Sequence, residues 1–131
     1  PLGFPATSHL SEKYACAVTS VFTPAQAMVA HSAGANFVLY YHNRAKRLLD
    51  NGALLAQKLV HVLEGTDTIV VAASLKSPEE VVEAREAGVS ILSTTFKVLE
   101  QMMHHDLSDS AVEDFNTNGK GLTPSIKEKI K

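Results

Sequence analysis

"SVFTPAQAM", residues 20 to 28, is repeated in pattern by "SLKSPEEVV", residues 74 to 82, at an offset of 54 residues. In each copy a hydroxyl residue is followed by a proline and, two positions after that, by an amide or a carboxyl side chain. A proline loses no hydrogen bond at the first position of a helix, and the other two residues can form a capping box. The repeat therefore predicts two helices with the same start, formed by Thr23, Pro24 and Gln26 in the first copy and by Ser77, Pro78 and Glu80 in the second.

The second half of the repeat predicts where these helices end. "AHSAGANFV", residues 30 to 38, corresponds to "AREAGVSIL", residues 84 to 92, and each places Ala-Gly before a β-favouring run. Gly34 and Gly88 can adopt the left-handed conformation that ends a helix. The same reasoning along the chain predicts strands at 17–22, 36–41, 67–73 and 90–94, alternating with helices at 24–33, 51–64, 78–87 and 96–104, and a further helix after a break near 106–108.

This alternation of short apolar strands with helices favours an α/β fold with a parallel sheet covered by helices. Four β/α units with an internal repeat are typical of half of a (β/α)8 TIM barrel, and an open sheet is the alternative. The chain has 131 residues, 45% of them apolar, which suits one core. We expect residues 1–118 to form the barrel part and residues 119–131 a tail whose helix docks on a neighbour.

Composition excludes several classes of function. The formal charge is −2, there is no Trp, and the basic run "RAKR" at 44–47 is too short for a nucleic-acid groove. The single cysteine, Cys16, matches no zinc-site spacing, so we expect no metal. No apolar run approaches the roughly 18 residues of a membrane span, and the N-terminus lacks the pattern of a signal peptide. A cytoplasmic protein without nucleic-acid or membrane partners is expected.

The carboxyl ends of the predicted strands carry polar side chains, and in β/α barrels this end of the sheet carries the chemistry. Hydroxyl, phenol and guanidinium groups of this kind suit a phosphorylated, hydroxylated small molecule. The residues are Thr19, Tyr41, Asn43, Arg44, Ser74 and Lys76.

Each of these residues also has a simpler interpretation. Thr19 favours strands for its shape alone, and Tyr41 could lie at the surface with its hydroxyl in water. Arg44, next to other basic residues, could belong to a solvated turn, and Ser74 recurs in the repeat, which favours a structural role. The pair His104 and His105 is expected in the last turn of a helix, where imidazolium complements the helix dipole. Lys97 is expected to be a solvated neighbour of the rim.

Taken together, "VTSVFTPAQA", "NFVLYYHNR", "VVAASLKSPEEV" and "EAGVSILSTTFKVLEQMMHHDLSDSAVEDF" resemble the transaldolase family, most closely its fructose-6-phosphate aldolase-like branch. The resemblance covers residues 16 to 118 and implies strands five to eight of the family's (β/α)8 barrel. It implies a class I aldolase or transaldolase, in which a lysine forms a Schiff base with a ketose and C–C cleavage or transfer follows without a metal or another cofactor.

By position, the resemblance implies a role for four residues. Thr19 would help to hold the catalytic water, Tyr41 would be the acid/base partner, and Arg44 and Ser74 would bind the substrate phosphate. The chain departs from the family at Leu39 and Tyr40, where a small residue and a proline are usual, and at His42, which replaces a small apolar residue. The Schiff-base lysine belongs to strand four, upstream of this chain. Lys13 follows too late, in a helix expected before the first strand.

Three hypotheses follow. The chain is the C-terminal part of a transaldolase-like enzyme, or a non-catalytic half barrel that binds a sugar phosphate or assembles with a partner, or an open-sheet domain with unrelated binding. A half barrel exposes two strand edges and an apolar inner face, so we expect a homo-oligomer or pairing with an N-terminal half.

Overall fold

The computed structural model describes residues 3–118, and the tail predicted for residues 119–131 lies outside this range. Each strand is followed by one or two helices and the strands form one parallel sheet, so the predicted α/β class is confirmed. The elements are α1 (Gly3–Leu10), β1 (Ala17–Val18), α2 (Pro24–Ser32), β2 (Phe37–Tyr41), α3 (His42–Leu49), α4 (Gly52–Val62), β3 (Ile69–Leu75), α5 (Pro78–Glu86), β4 (Ile91–Thr94), α6 (Phe96–Met103) and α7 (Asp106–Thr117).

The four strands form one parallel sheet in the order β1-β2-β3-β4. The register pairs Val38 with Val70 and Tyr41 with Ala73. All strands therefore end at the same edge, and the residues that follow them lie side by side there. Sequential order in space is what consecutive β/α units of a barrel produce.

Both helix starts predicted by the repeat are confirmed, but the two caps differ. Thr23 and Gln26 form a complete capping box at α2. At α5 the Ser77 hydroxyl accepts from the Glu80 amide at 3.4 Å, while the Glu80 carboxylate bonds elsewhere, so the predicted second box is only half formed. The predicted stops are also confirmed, because Gly34 and Gly88 have φ of 86° and 92°.

β1 is shorter than predicted because Ser20 has a left-handed backbone, with φ of 60°. Ser74, its counterpart in the repeat, has the same φ of 60°, and the pairing of β3 with β4 shifts register there. A bulge of this kind breaks the ladder and re-aims a side chain, and it recurs near active sites. The repeat thus extends to two strained serines at the carboxyl edge of the sheet.

One helix was missed and two placements were wrong. α3 begins directly after β2, where the sequence had suggested only a polar rim, because "HNRAKRLL" contains good helix formers and Asp50 ends it with φ of 51°. Lys13 lies in a turn after α1, not in a helix. α6 ends at Met103, and His105 caps α7 by accepting from the Leu107 amide, so the two histidines do not form a last turn.

The core lies between the sheet and its helices. Along β2, Val38 and Tyr40 are fully buried beneath the helices, whereas Phe37, Leu39 and Tyr41 on the other face are only partly covered. On that second face, which we call the inner face, Ile69 and Ile91 are each 39% exposed. Helices thus cover one face of the sheet and leave the inner face partly open.

The chain divides into two compact units, residues 1–99 and 100–131. The first contains the sheet and its core. In the described part of the second, α7 has no buried residue, and its exposed apolar side chains include Leu107, Val112 and Phe115. None of the described helices has the length and apolar character needed to cross a membrane.

Candidate active site at the carboxyl edge of the sheet

Tyr40 and Tyr41 separate the two faces of the sheet at the end of β2. Successive strand residues point to opposite sides, so Tyr40 enters the core while Tyr41 lies on the inner face at the carboxyl edge. Tyr41 is also the residue before α3, and Arg44 follows in the first turn of that helix. The chain therefore brings a phenol and a guanidinium to the rim within one strand-to-helix junction.

The Tyr41 ring is held by several neighbours. The Arg44 guanidinium carbon lies 4.9 Å from the ring centroid, which is within the range of a cation–π interaction. The Phe22 ring meets it edge-on, with centroids 6.2 Å apart. The hydroxyls of Ser20 and Thr19 act on the phenol through its pKa, which they lower. The sequence placed Thr19, Tyr41 and Arg44 at one site, and the structure brings these three together.

These contacts change the acidity of the phenol. Hydrogen bonding from Ser20, then from Thr19, lowers the pKa of Tyr41 below its ordinary value, and the positive charge of Arg44 acts in the same direction. A phenol with a lowered pKa gives up its proton more easily near neutral pH. Tyr41 is therefore suited to proton transfer.

Ser74 lies at the same edge on the neighbouring strand. It directly follows Ala73, the register partner of Tyr41, and it is partly buried in its left-handed bulge. Lys76 is exposed two residues later, and Lys97 is exposed at the start of α6. The rim thus offers a serine hydroxyl on β3 and a guanidinium on α3, which are donors suited to phosphate oxygens.

A series of hydrogen-bonded polar groups lies on the helix-covered side of the same junction, opposite the inner face. The Tyr40 hydroxyl and His42 Nδ1 are 3.0 Å apart, His42 Nε2 and Glu83 Oε2 are 3.1 Å apart, and Lys46 Nζ donates to Glu83 at 2.8 and 3.0 Å. Tyr40 and His42 are both fully buried. Burial, then the charge of Glu83, raises the pKa of Tyr40, while the bonds from Lys46 and His42 lower the pKa of Glu83.

A second connection runs through Asn43 and Glu80. The Asn43 amide donates to Glu80 Oε1 at 2.8 Å, and the backbone amide of Lys76 donates to Glu80 Oε2 at 2.8 Å. Arg47 Nε donates to the side-chain oxygen Oδ1 of Asn43 at 3.2 Å. Glu80 is 6% exposed, so this carboxylate is buried between α3, α5 and the loop after β3. The Asn43 side chain is therefore part of this hydrogen-bond network and does not lie at the rim itself.

Comparison with known proteins assigns the chain to a family. A family model described as transaldolase/fructose-6-phosphate aldolase matches residues 1–129. This chain belongs to that family. Among curated relatives, it is 38% identical over 116 residues to a probable transaldolase of Symbiobacterium thermophilum, covering 86% of this chain and 54% of the relative.

Two other relatives show the same partial coverage. A probable transaldolase of Caldicellulosiruptor saccharolyticus is 38% identical, over 86% of this chain and 54% of its own length. A probable transaldolase 1 of Listeria monocytogenes is 37% identical, over 75% of this chain and 47% of its own length. The chain spans about half the length of the curated relatives that it matches. Together with the four parallel strands in sequential order, this coverage fits the predicted half of a (β/α)8 barrel.

Two features of this transaldolase-family chain were missed from the sequence. Ser20 was treated only as the counterpart of Ser74, although the shared repeat position was a signal for both. The hydrogen-bond networks through Glu83 and Glu80 were missed because α3 was not predicted. Once α3 is known, Glu80 and Glu83 are one turn apart on α5 and can face His42 and Asn43 together.

Two cavities lie outside this edge. One, of about 500 Å³, is at the amino ends of β3 and β4 and is lined in part by Gln57, Thr68 and Ser90. The other, of about 460 Å³, lies between α3 and the start of α4. In residues 3–118, no group of three or more histidine, cysteine, aspartate or glutamate side chains could hold a metal ion.

Proposed function

We propose that this chain is the acid/base and phosphate-binding half of a class I aldolase or transaldolase that acts on phosphorylated ketoses such as fructose 6-phosphate. The Schiff-base lysine would come from a segment N-terminal to this chain. Family membership supports the reaction class. The observation that carries the proposal is the position of Tyr41 at the carboxyl edge, with the Arg44 guanidinium over its ring and its pKa lowered by the Ser20 and Thr19 hydroxyls.

Each rim residue has a task in this chemistry. When the ketose is bound as an iminium ion, cleavage breaks a C–C bond, and its electron pair moves towards the iminium nitrogen. The hydroxyl on the departing carbon must lose its proton, and Tyr41, whose pKa is lowered, would be the group that transfers it. Thr19, beside the phenol, would hold the water that later hydrolyses the Schiff base.

Arg44 and Ser74 would bind the phosphate of the ketose. A guanidinium and a hydroxyl give charge-assisted hydrogen bonds to phosphate oxygens, and the parallel register brings both residues to the edge that carries Tyr41. Anchoring the phosphate holds the reacting carbons near the phenol, which is the orientation effect that accelerates the reaction. We also propose that the enzyme acts in the cytoplasm, in carbohydrate metabolism. Its assembly would be a homo-oligomer, or this chain would pair with an N-terminal half.

The test is borohydride trapping of the full-length polypeptide that contains this chain. With fructose 6-phosphate, we expect a stable adduct on a lysine N-terminal to residue 1. A stable adduct on Lys13, Lys76 or Lys97 would contradict the proposal. Phosphate binding without any adduct would instead favour the non-catalytic sugar-phosphate-binding half barrel.

The variant Tyr41→Phe separates the proton-transfer step from Schiff-base formation. It should keep the trapped adduct and lower turnover by about 10²–10⁴-fold, the usual contribution of a positioned acid/base group. Tyr14→Phe is the matched control because Tyr14 is 65% exposed and should leave turnover unchanged. Equal activity of the two variants would remove Tyr41 from the mechanism.

A further inference from the structure

The buried Glu80 carboxylate connects the two segments that carry Arg44 and Ser74. Its Oε1 accepts from Asn43, the residue before Arg44, and its Oε2 accepts from the Lys76 amide, two residues after Ser74, with both distances 2.8 Å. One side chain thus joins the first turn of α3 to the loop after β3. The link therefore spans the two segments that carry the candidate phosphate ligands.

The internal repeat supplies a comparison within the same chain. Gln26 occupies the position of Glu80 in the first copy, and its Oε1 accepts from the amides of Phe22 and Thr23 at 2.8 and 3.2 Å. Gln26 is exposed, and capping the start of α2 is the role its bonds show. Phe22 corresponds to Lys76, so the backbone part of the contact is common to both copies. Only the second copy has a carboxylate, buries it and bonds it to a neighbouring helix.

Burial of a carboxylate is costly unless hydrogen bonds compensate for lost hydration. An exposed amide performs the capping task at α2, so capping alone does not require a buried charge at α5. The additional bond to Asn43 is what distinguishes Glu80. A bond to an ionised acceptor is stronger and shorter than a neutral one, which suits a contact that must fix a distance.

We propose that Glu80 and Asn43 are positioning residues that set the geometry of the phosphate site formed by Arg44 and Ser74. This inference rests on the proposed function for its substrate. Neither residue touches the substrate. Their effect is transmitted through the backbone to the adjacent ligands, so it depends on whether the substrate carries a phosphate.

The test exchanges donor and acceptor across the pair in the full-length polypeptide. Asn43→Asp places two carboxylates in contact and should push α3 away from the loop. It should raise KM for fructose 6-phosphate roughly tenfold and weaken binding of glycerol phosphate by a similar factor, as expected for a small misplacement of binding groups. Kinetics with fructose, which lacks the phosphate, should not change.

The double variant Asn43→Asp with Glu80→Gln restores a hydrogen bond, because the new amide on α5 can donate to the new carboxylate on α3 and still accept from the Lys76 amide. We expect it to recover KM and glycerol phosphate affinity. Gln57→Glu is the matched control, since it makes the same amide-to-acid change at an exposed position of α4, at the amino end of the sheet. Non-additivity across the wild type, the two single variants and the double variant measures the coupling of the pair.

The outcomes separate this inference from the proposed function. If the protein turns over no ketose but Asn43→Asp weakens glycerol phosphate binding and the double variant restores it, the positioning role stands and the aldolase proposal fails. If ketose turnover is normal and Asn43→Asp changes neither KM nor phosphate affinity, the positioning role is refuted. Equal losses with fructose and fructose 6-phosphate would also refute it, because they indicate general damage to the fold.

Discussion

At the scale of single residues, backbone strain is concentrated at the carboxyl edge of the sheet. Ser20 and Ser74 both have φ of 60°, a conformation that residues other than glycine rarely adopt. Such strain costs on the order of 1–3 kcal/mol and persists where the surroundings enforce it, commonly at functional sites. Ser20 is also the residue whose hydroxyl contributes most to the lowered pKa of Tyr41.

We predict that removal of the Ser20 hydroxyl raises the pKa of Tyr41. The hydroxyl stabilises the phenolate, so without it the proton is held more tightly and Tyr41 ionises at higher pH. In Ser20→Ala, the limb of the pH–rate profile that reports Tyr41 should therefore move to higher pH. Phenolate absorbance during a pH titration measures the same shift directly.

Ser20→Gly is the control for strain. It also lacks the hydroxyl, but glycine accepts positive φ without cost, so it should match the pH shift of Ser20→Ala and be more stable. A profile that moves in only one of the two variants would show that the hydroxyl is not responsible.

At the scale of elements, α5 holds α3 in place. The polar chain from Tyr40 through His42 to Glu83 and Lys46 joins the end of β2 to both helices. Tyr40 and His42 are both fully buried, so a buried hydrogen-bond network ties the end of β2 to the start of α3.

We predict that His42→Leu lowers the free energy of unfolding by about 1–3 kcal/mol, because it leaves the buried Tyr40 hydroxyl without a partner. Tyr40→Phe combined with His42→Leu removes both polar groups and should regain most of that loss. Urea denaturation of the full-length polypeptide measures these differences.

His61→Leu is the matched control for this network. His61 also faces a glutamate, Glu64, at 3.6 Å, but its side chain is 87% exposed, so the change should be within about 0.5 kcal/mol. Equal destabilisation by His42→Leu and His61→Leu would show that burial of the network has no energetic consequence.

At the scale of the whole molecule, the sheet is unfinished within the described residues. In residues 3–118, β1 pairs only with β2 and β4 only with β3, so each has an open edge. Ile69 and Ile91 leave apolar surface on the inner face. Open strand edges and exposed apolar faces favour association with another polypeptide segment or another copy of the chain.

We predict that the isolated 131-residue chain self-associates and binds a hydrophobic dye. Ile69→Lys should reduce both effects by placing charge on the inner face, whereas Leu54→Lys, at a 47% exposed site on α4, should not. Light scattering coupled to size-exclusion chromatography measures the mass. A monomeric chain that binds no dye would contradict the prediction.

Local sequence determined the elements whose signals are local. Thr23, Pro24 and Gly34 define one helix, and their counterparts in the repeat define another, because caps and left-handed stops act within a few residues. Alternation of strands and helices then determined the parallel α/β class. The resemblance supplied Thr19, Tyr41, Arg44 and Ser74, whose roles stay predictions.

Only the tertiary structure decided which side chains meet. The capping pattern predicts a bond from Glu80 to the backbone amide of its own N-cap, but the carboxylate bonds the Lys76 amide and Asn43, which is 37 residues away in sequence. His42 likewise bonds Glu83 across 41 residues. Periodicity and caps report on neighbours along the chain, whereas these contacts depend on the parallel register that sets α3 beside α5. The sequence therefore determined the elements and the edge of the sheet that carries the candidate site, and packing determined which side chains hold that edge together.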